Sequence, residues 1–94
     1  MSISFTDRVV LPEDVLVSDL QGESVILNLN NKCYYGLDEI GTSMLSVLTT
    51  SHSIEAAFET LLNNYDVSGE VLRRDLISLI ERLVDQGVVE ITRA

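Results

Sequence analysis

Residues 24–38 carry the pattern that most constrains the fold of this chain. Apolar residues alternate with other side chains in two short runs, and a polar break at 30–32 separates the runs. Alternation with a period of two is typical of β-strands, and two such runs joined by a short break are typical of a β-hairpin. Asn30 and Asn31 suit the tight turn because Asn tolerates a positive φ. The pattern therefore predicts a hairpin.

A three-residue loop at 30–32 gives the best match between the two runs. It places the apolar residues of both runs on one face, as cross-strand pairs. The predicted pairs are Leu29–Cys33, Leu27–Tyr35 and Val25–Leu37. A two-residue loop would pair Leu27 with Tyr34 and break the match. We therefore predict that these six residues face the core, that Cys33 is a small buried hydrophobe, and that Tyr34 points outward.

The neighbouring segments complete an α+β fold. Residues 15–20 are rich in β-branched residues and a turn at 21–23 leads into the hairpin, which predicts a three-stranded antiparallel meander with residues 32–37 at one edge. Three helical patterns follow the sheet. The first helix is expected to have its N-cap at Asp38 and a core face that consists of Ile40, Met44, Leu45 and Leu48. The second helix is expected to have its N-cap at Ser53. The third is expected to start near 66–68 and to end at Gly87. Strands followed by helices indicate the α+β class.

The two ends of the chain are less constrained. Pro12 cannot donate to a strand ladder and separates an N-terminal arm, residues 1–12, from the rest. The arm either adds a peripheral strand or exchanges with a neighbouring subunit, and the sequence leaves both open. Residues 88–91 form a short apolar end that we expect to dock against the helices. The length predicts one domain over residues 1–94.

The charge balance argues against several classes of partner. Fifteen acidic residues against six basic ones give a net charge of −9, which repels phosphate backbones and anionic lipid, so we expect neither a nucleic acid nor a membrane as partner. No apolar stretch approaches the ~18 residues of a membrane span. The N-terminus lacks the basic segment and apolar run of a signal peptide. The expected location is the cytoplasm.

The residues also give no indication of enzyme chemistry. His52 and Cys33 are the only residues of their types, and no local motif pairs them as a catalytic dyad. One Cys and one His fall short of the ligands of a metal site. A Gly-rich phosphate loop is missing from the sequence. We therefore predict a protein without catalytic activity, metal or cofactor.

The edge strand at 32–37 is the strongest candidate for a binding site. It contains no proline, and only Lys32 supplies a charge that would blunt the edge. Such an edge is either covered or used for β-strand addition by a peptide. One face of the third helix carries both apolar and polar residues at i, i+4, i+7 and i+11 spacing, and the helix also carries arginines. If this face lies beside the edge strand, the two define a groove. The candidate peptide-binding residues are Lys32, Cys33, Tyr34, Tyr35, Gly36, Leu37, Val71, Arg74, Asp75, Ser78, Leu79 and Arg82.

Several short motifs together resemble the PqqD-like family of peptide-recognition domains. The motifs are Gly22-Glu23-Ser24-Val25-Ile26-Leu27, Tyr34-Tyr35-Gly36-Leu37-Asp38-Glu39-Ile40-Gly41, Asp75-Leu76, Leu79-Ile80, Leu83 and Gly87-Val88-Val89. The resemblance covers residues 13–91. It implies a winged-helix-like fold that binds the leader of a ribosomally made precursor peptide as an added strand beside 32–37, against the third helix, without chemistry of its own. The chain departs from many relatives because it has Ser43-Met44-Leu45 and no tryptophan in the first helix.

The resemblance also implies partners. A stand-alone protein of this length is most similar to the leader-binding component of lasso-peptide biosynthesis, which works with a separate leader peptidase and a cyclase. A PqqD-type chaperone for a radical SAM enzyme is the alternative within the family.

Two further hypotheses stay open on the residues alone. A winged-helix nucleic-acid-binding protein is one, since the third helix carries Arg73, Arg74 and Arg82. A structural subunit that dimerises through the N-terminal arm is the other, so the expected state is a monomer or a weak dimer.

Overall fold

The computed structural model describes residues 3–93, so Met1, Ser2 and Ala94 lie outside it. The first two of these belong to the predicted N-terminal arm. The elements, in chain order, are β1 (Arg8–Val10), β2 (Val15–Leu20), β3 (Glu23–Asn28), β4 (Tyr34–Leu37), α1 (Glu39–Thr50), α2 (Ile54–Asn64), α3 (Gly69–Asp85) and β5 (Glu90–Thr92). The predicted α+β order, a three-stranded sheet followed by three helices, is confirmed.

Strands β2, β3 and β4 form an antiparallel meander in that spatial order. β4 is therefore an edge strand, as the sequence predicts. Among residues 3–93, β3 is the only strand that pairs with β4. A smaller two-stranded sheet joins β1 to β5. In this structure the arm therefore adds a peripheral strand, one of the two alternatives that the sequence left open.

The predicted register of the hairpin is wrong by one residue. Tyr35 pairs with Ile26 instead of Leu27, and Leu37 pairs with Ser24 instead of Val25. Asn28 donates its backbone N–H to the Cys33 carbonyl at 2.9 Å. Four residues, 29–32, therefore lie between the last bonded pair, Asn28 and Cys33, in place of the predicted three-residue loop. The positive φ in this loop belongs to Lys32, at 62°, and to neither Asn.

This shift exchanges the two faces of β3, because side chains alternate with a period of two. Ile26 is fully buried, whereas Val25 and Leu29 are 38% and 48% exposed. Cys33 is also exposed, so its predicted burial is wrong. Of the six residues assigned to the inner face, Leu37 is buried and Tyr35 packs partly against the core.

Two buried polar side chains explain why the sequence pattern misleads. Ser24 and Asn28 flank Ile26 on the inner face of β3. A buried polar group is costly unless it is hydrogen-bonded. Ser24 Oγ lies 2.8 Å from Thr42 Oγ1 in α1, and Asn28 Nδ2 donates to the carbonyl oxygen of Gly87 at 3.1 Å. Both partners lie further along the chain, Thr42 in α1 and Gly87 just after α3.

The helix boundaries follow the local signals in the sequence. The side chains of Asp38, Ser53 and Ser68 accept hydrogen bonds from the first turns of α1, α2 and α3, as N-caps do. Gly87 adopts φ 74° just after the end of α3, a left-handed conformation that glycine adopts without a Cβ penalty. Ile40 departs from its predicted place, because it is 56% exposed at the start of α1.

The N-terminal arm folds back onto its own chain. β1 pairs with β5 in the register Val9–Ile91. Before this strand, the carbonyl oxygens of Phe5 and Asp7 accept hydrogen bonds from backbone N–H groups of Glu55 and Ile54, at the start of α2. These groups have no partner within their own helix. The arm thus supplies a cap for α2 as well as a peripheral strand.

The core lies between the inner face of the meander and the three helices. α3 contributes most to it, through a buried stripe along its length. This stripe consists of Leu72, Leu76, Leu79, Ile80 and Leu83. Ile26, Leu48, Ile54 and Leu61 pack in the same cluster and are also almost fully buried. Within residues 3–93, no helix is long and apolar enough to cross a membrane.

Truncating Leu79 should destabilise the fold strongly. Its side chain is 3% exposed, and removing a buried leucine leaves a cavity that costs about 2–5 kcal/mol. Val71, on the neighbouring flank of α3, is 38% exposed, so Val71→Ala should change stability by about 0.5 kcal/mol or less. Urea unfolding of Leu79→Ala and Val71→Ala would measure both. Equal losses in the two variants would contradict the burial of Leu79.

The thiol of Cys33 should react in the native protein. Because the side chain is exposed, Ellman's reagent should modify it at a rate close to that of the unfolded chain, as expected of an accessible thiol. Cys33→Ser supplies the background. If the thiol reacted only after denaturant was added, the result would contradict the exposed position of Cys33 and support the burial predicted from the sequence.

Candidate functional site

The backbone of β4 has one paired edge and one free edge. In an antiparallel ladder, alternate residue pairs exchange hydrogen bonds, and the residues between them point their backbone groups away. The bond from Asn28 N–H to the Cys33 carbonyl fixes this alternation. With the register of β3 and β4, it assigns the backbone groups of Tyr35 and Leu37 to the ladder. The N–H and C=O groups of Tyr34 and Gly36 consequently face the open edge.

Both residues at this edge are accessible. The side chain of Tyr34 is 76% exposed on the outer face of the sheet, as the sequence predicts. Gly36 is exposed too, and a Cβ added to it would meet no heavy atom within 4 Å. Because Gly36 has no side chain and the space beside it is open, another backbone can approach this edge closely. An extended peptide strand needs this arrangement in order to pair.

The surface of α3 has two exposed flanks, one on each side of its buried stripe. On the first flank, the guanidinium of Arg73 lies 4.2 Å from the centre of the Phe5 ring. That ring packs edge-to-face on Phe58 of α2, with 5.8 Å between centroids. This flank is thus occupied by the N-terminal arm and α2.

The second flank of α3 is turned away from α2 and carries the predicted groove residues. Asp75, Ser78 and Arg82 are exposed, and Val71 is 38% exposed. An open depression along this side is lined by Ser78, Glu81, Arg82 and Asp85. Arg74 lies beside the flank, with its Nε 3.8 Å from the Asp75 carboxylate, in an exposed ion pair of small energetic weight.

Leu79 does not belong to this accessible surface. The sequence places it among the groove residues, but the side chain points into the core. The reason is its angular position: Leu79 lies at the edge of the buried stripe next to this flank, where the apolar core covers it. Its neighbours Asp75 and Arg82 remain outside.

Asn28 is a residue of this region that the sequence analysis does not single out. Its side chain joins the end of β3 to Gly87, just beyond α3, while its backbone is bonded to Cys33 before β4. The C-terminal end of α3 is therefore held close to the start of the edge strand. The only available signal was the Asn-rich sequence at 28–31, which is read more simply as a turn.

The described residues offer no alternative chemical site. Within residues 3–93, no group of three or more His, Cys, Asp or Glu side chains could hold a metal ion. His52 is exposed in the connection between α1 and α2.

The fold matches solved structures closely. One is TbiB1 in complex with the TbiA(beta) leader peptide, with a TM-score of 0.80 and 25% identity over 86% of this chain and 94% of that chain. Another is lasso peptide synthetase B1 complexed with the leader peptide, with a TM-score of 0.79 and 20% identity over 88% and 98% of the two chains. The second match, at this identity, shows a shared fold.

The sequence itself identifies the family. No curated protein matches the chain. Residues 23–89, which include β3, β4 and all three helices, match the family model described as coenzyme PQQ synthesis protein D (PqqD). The chain belongs to the PqqD family.

Proposed function

We propose that this chain is a non-catalytic protein that binds the leader region of a ribosomally made precursor peptide. The observation that carries the proposal is the open edge of β4, at Tyr34 and Gly36, in a fold that matches TbiB1 bound to a leader peptide. The leader adds as a fourth strand next to β4. Its side chains then alternate between the outer face of the sheet and the side of α3.

The backbone of β4 supplies the affinity in this proposal. Tyr34 and Gly36 together offer two N–H groups and two carbonyl oxygens to the leader. Each hydrogen bond replaces one to water, so its net value is only about 0.5–1.5 kcal/mol. Backbone pairing also does not depend on the identity of the leader's side chains. Selection among peptides must therefore come from side chains near the edge.

The second flank of α3 supplies that selection. Val71 offers an apolar surface, Asp75 and Arg82 offer opposite charges, and Ser78 offers a hydroxyl. Lys32 and Arg74 add positive charge in an otherwise acidic protein. Leu79 contributes by holding α3 in place from below. The remaining candidates, Cys33, Tyr35 and Leu37, point their backbone groups toward β3, so they fix the strand and do not pair with the leader.

The leader-bound form would present the precursor to enzymes that modify it. We place the chain with a separate leader peptidase and cyclase of lasso-peptide biosynthesis, in line with its similarity to TbiB1. A radical SAM enzyme remains the alternative partner within the PqqD family. Because precursors are made on ribosomes, the site of action would be the cytoplasm.

Two of the three arginines of α3 contact other groups of the protein, which argues against nucleic-acid binding. Arg73 is stacked on Phe5, and Arg74 lies beside Asp75. The net charge of −9 opposes association with a phosphate backbone. A DNA-reading helix normally presents an unobstructed basic face. Leader binding accounts for the exposed flank of α3 better than nucleic-acid binding does.

Gly36→Pro should weaken leader binding while leaving the fold intact. The Gly36 N–H faces the open edge, so proline removes a donor from the incoming strand but none from the ladder with β3. Its ring also obstructs the approaching backbone. With a fluorescein-labelled synthetic peptide spanning the leader of the precursor encoded beside this gene, anisotropy should show about tenfold weaker binding or more, from the lost bond and the obstruction together.

Gly36→Ala is the matched control for this experiment. It keeps the N–H, and its methyl group enters open space on the outer face of the sheet. This variant should bind the same peptide with nearly the wild-type dissociation constant. Circular dichroism and thermal melting would verify that both variants fold. Equal affinity of Gly36→Pro and Gly36→Ala would rule out strand addition at this edge.

A further inference from the structure

Asn28 joins the two walls of the proposed groove. Its Nδ2 donates to the Gly87 carbonyl oxygen at 3.1 Å, and its Oδ1 accepts from the backbone N–H of Asn30 at 2.9 Å. A longer contact of 3.4 Å runs from the Asn31 N–H to the same oxygen. The side chain is only 7% exposed. One amide therefore links β3, the loop to β4 and the segment that ends α3.

The backbone of the same residue completes this junction. Its N–H donates to the Cys33 carbonyl at 2.9 Å, and its carbonyl accepts from Lys32 N–H at 2.8 Å. Lys32 adopts the left-handed φ of 62° that closes the loop. The start of β4 is thus tied to the same residue that holds the end of α3.

We propose that Asn28 is a positioning residue that sets the separation between β4 and α3, and thereby the affinity for the leader. This inference rests on the proposed function. A peptide that contacts both walls binds best when their separation is fixed beforehand, because any ordering of the walls would reduce the free energy of binding. Asn28 fixes it at one end of the groove.

The core alone does not replace this link. Leu79, Ile80 and Leu83 share the apolar core with Ile26 of β3, and apolar contacts are non-directional. A buried amide with fixed partners, by contrast, defines one position along the helix. The C-terminal segment at Gly87 has φ 74° and turns its carbonyl toward Asn28. The position of the α3 end is therefore specified by hydrogen bonding.

Ser24 provides a matched control within the same strand. It is also buried on the inner face of β3, and its Oγ lies 2.8 Å from Thr42 Oγ1 in α1. This link ties β3 to α1 and does not involve α3. Ser24→Ala removes a buried polar link of similar kind, at the other end of the strand. It should leave the separation between β4 and α3 unchanged.

The first test measures the separation without any peptide. Cys33, the only cysteine, is exposed before β4, and Asp85 is exposed at the end of α3. Spin labels on Cys33 and on the introduced cysteine of Asp85→Cys report the distance between the walls by electron paramagnetic resonance. Adding Asn28→Asp keeps an acceptor for the loop N–H groups but removes the donor to Gly87. The distance distribution should broaden or shift with Asn28→Asp and stay unchanged with Ser24→Ala.

The second test measures affinity in unlabelled protein. With the fluorescein-labelled leader peptide used for Gly36→Pro, Asn28→Asp should bind about tenfold more weakly than wild type, which corresponds to about 1.4 kcal/mol. Asn28→Ser is an uncharged second variant, whose hydroxyl is too short to replace the amide at Gly87, and it should show the same loss. Ser24→Ala should bind as wild type does. Urea unfolding of each variant separates affinity from stability.

The outcomes distinguish this inference from the proposed function. If wild type binds and Gly36→Pro does not, but both Asn28 variants bind as tightly as Ser24→Ala, the leader-binding function stands and the role of Asn28 is overturned. An unchanged distance in the labelled Asn28→Asp protein overturns it as well, with or without a peptide. If wild type fails to bind the leader peptide, the proposed function and the role of Asn28 in affinity both fail.

Discussion

The backbone N–H and C=O groups of β3 pair alternately with its two neighbouring strands, and the rest of the structure depends on this pairing. Leu29 N–H donates to Asp14 beside β2, whereas Asn28 N–H donates to Cys33 before β4. Successive residues thus serve opposite sides, as an antiparallel ladder requires. The backbone groups of β3 are thus paired on both sides, whereas β4, at the edge of the sheet, has a partner strand on one side only. The free groups of Tyr34 and Gly36 follow directly from the meander order of three strands.

Hydrogen bonds from two buried polar residues then place the helices on this sheet. Ser24 reaches Thr42 in α1, and Asn28 reaches Gly87 after α3. In residues 3–93 no buried side-chain nitrogen or oxygen lacks a partner. Apolar packing gives most of the stability but little positional information. The directional links supply that information, and one of them lies where the proposed groove begins.

The surface of α3 shows how one helix can serve the core, the arm and a ligand at once. Its buried stripe packs in the core, Arg73 lies over Phe5, and the flank with Asp75 and Arg82 remains exposed. The chain belongs to the PqqD family, and the proposed function gives this exposed flank its role as one wall of the leader-binding groove.

The sequence by itself determined the features that depend on neighbouring residues. The caps at Asp38 and Ser53 and the terminating Gly87 are of this kind, since each rests on local backbone chemistry. For α3 the sequence pattern indicated only a start near 66–68, and the structure has the cap at Ser68. The edge position of β4 follows from the order of two successive hairpins. The register of the hairpin and the burial of Leu79 were decided only in the tertiary structure. Both faces of β3 carry apolar residues, so alternation alone could not choose between them. The choice came from hydrogen bonds to Thr42 and Gly87, which lie 18 and 59 residues further along the chain.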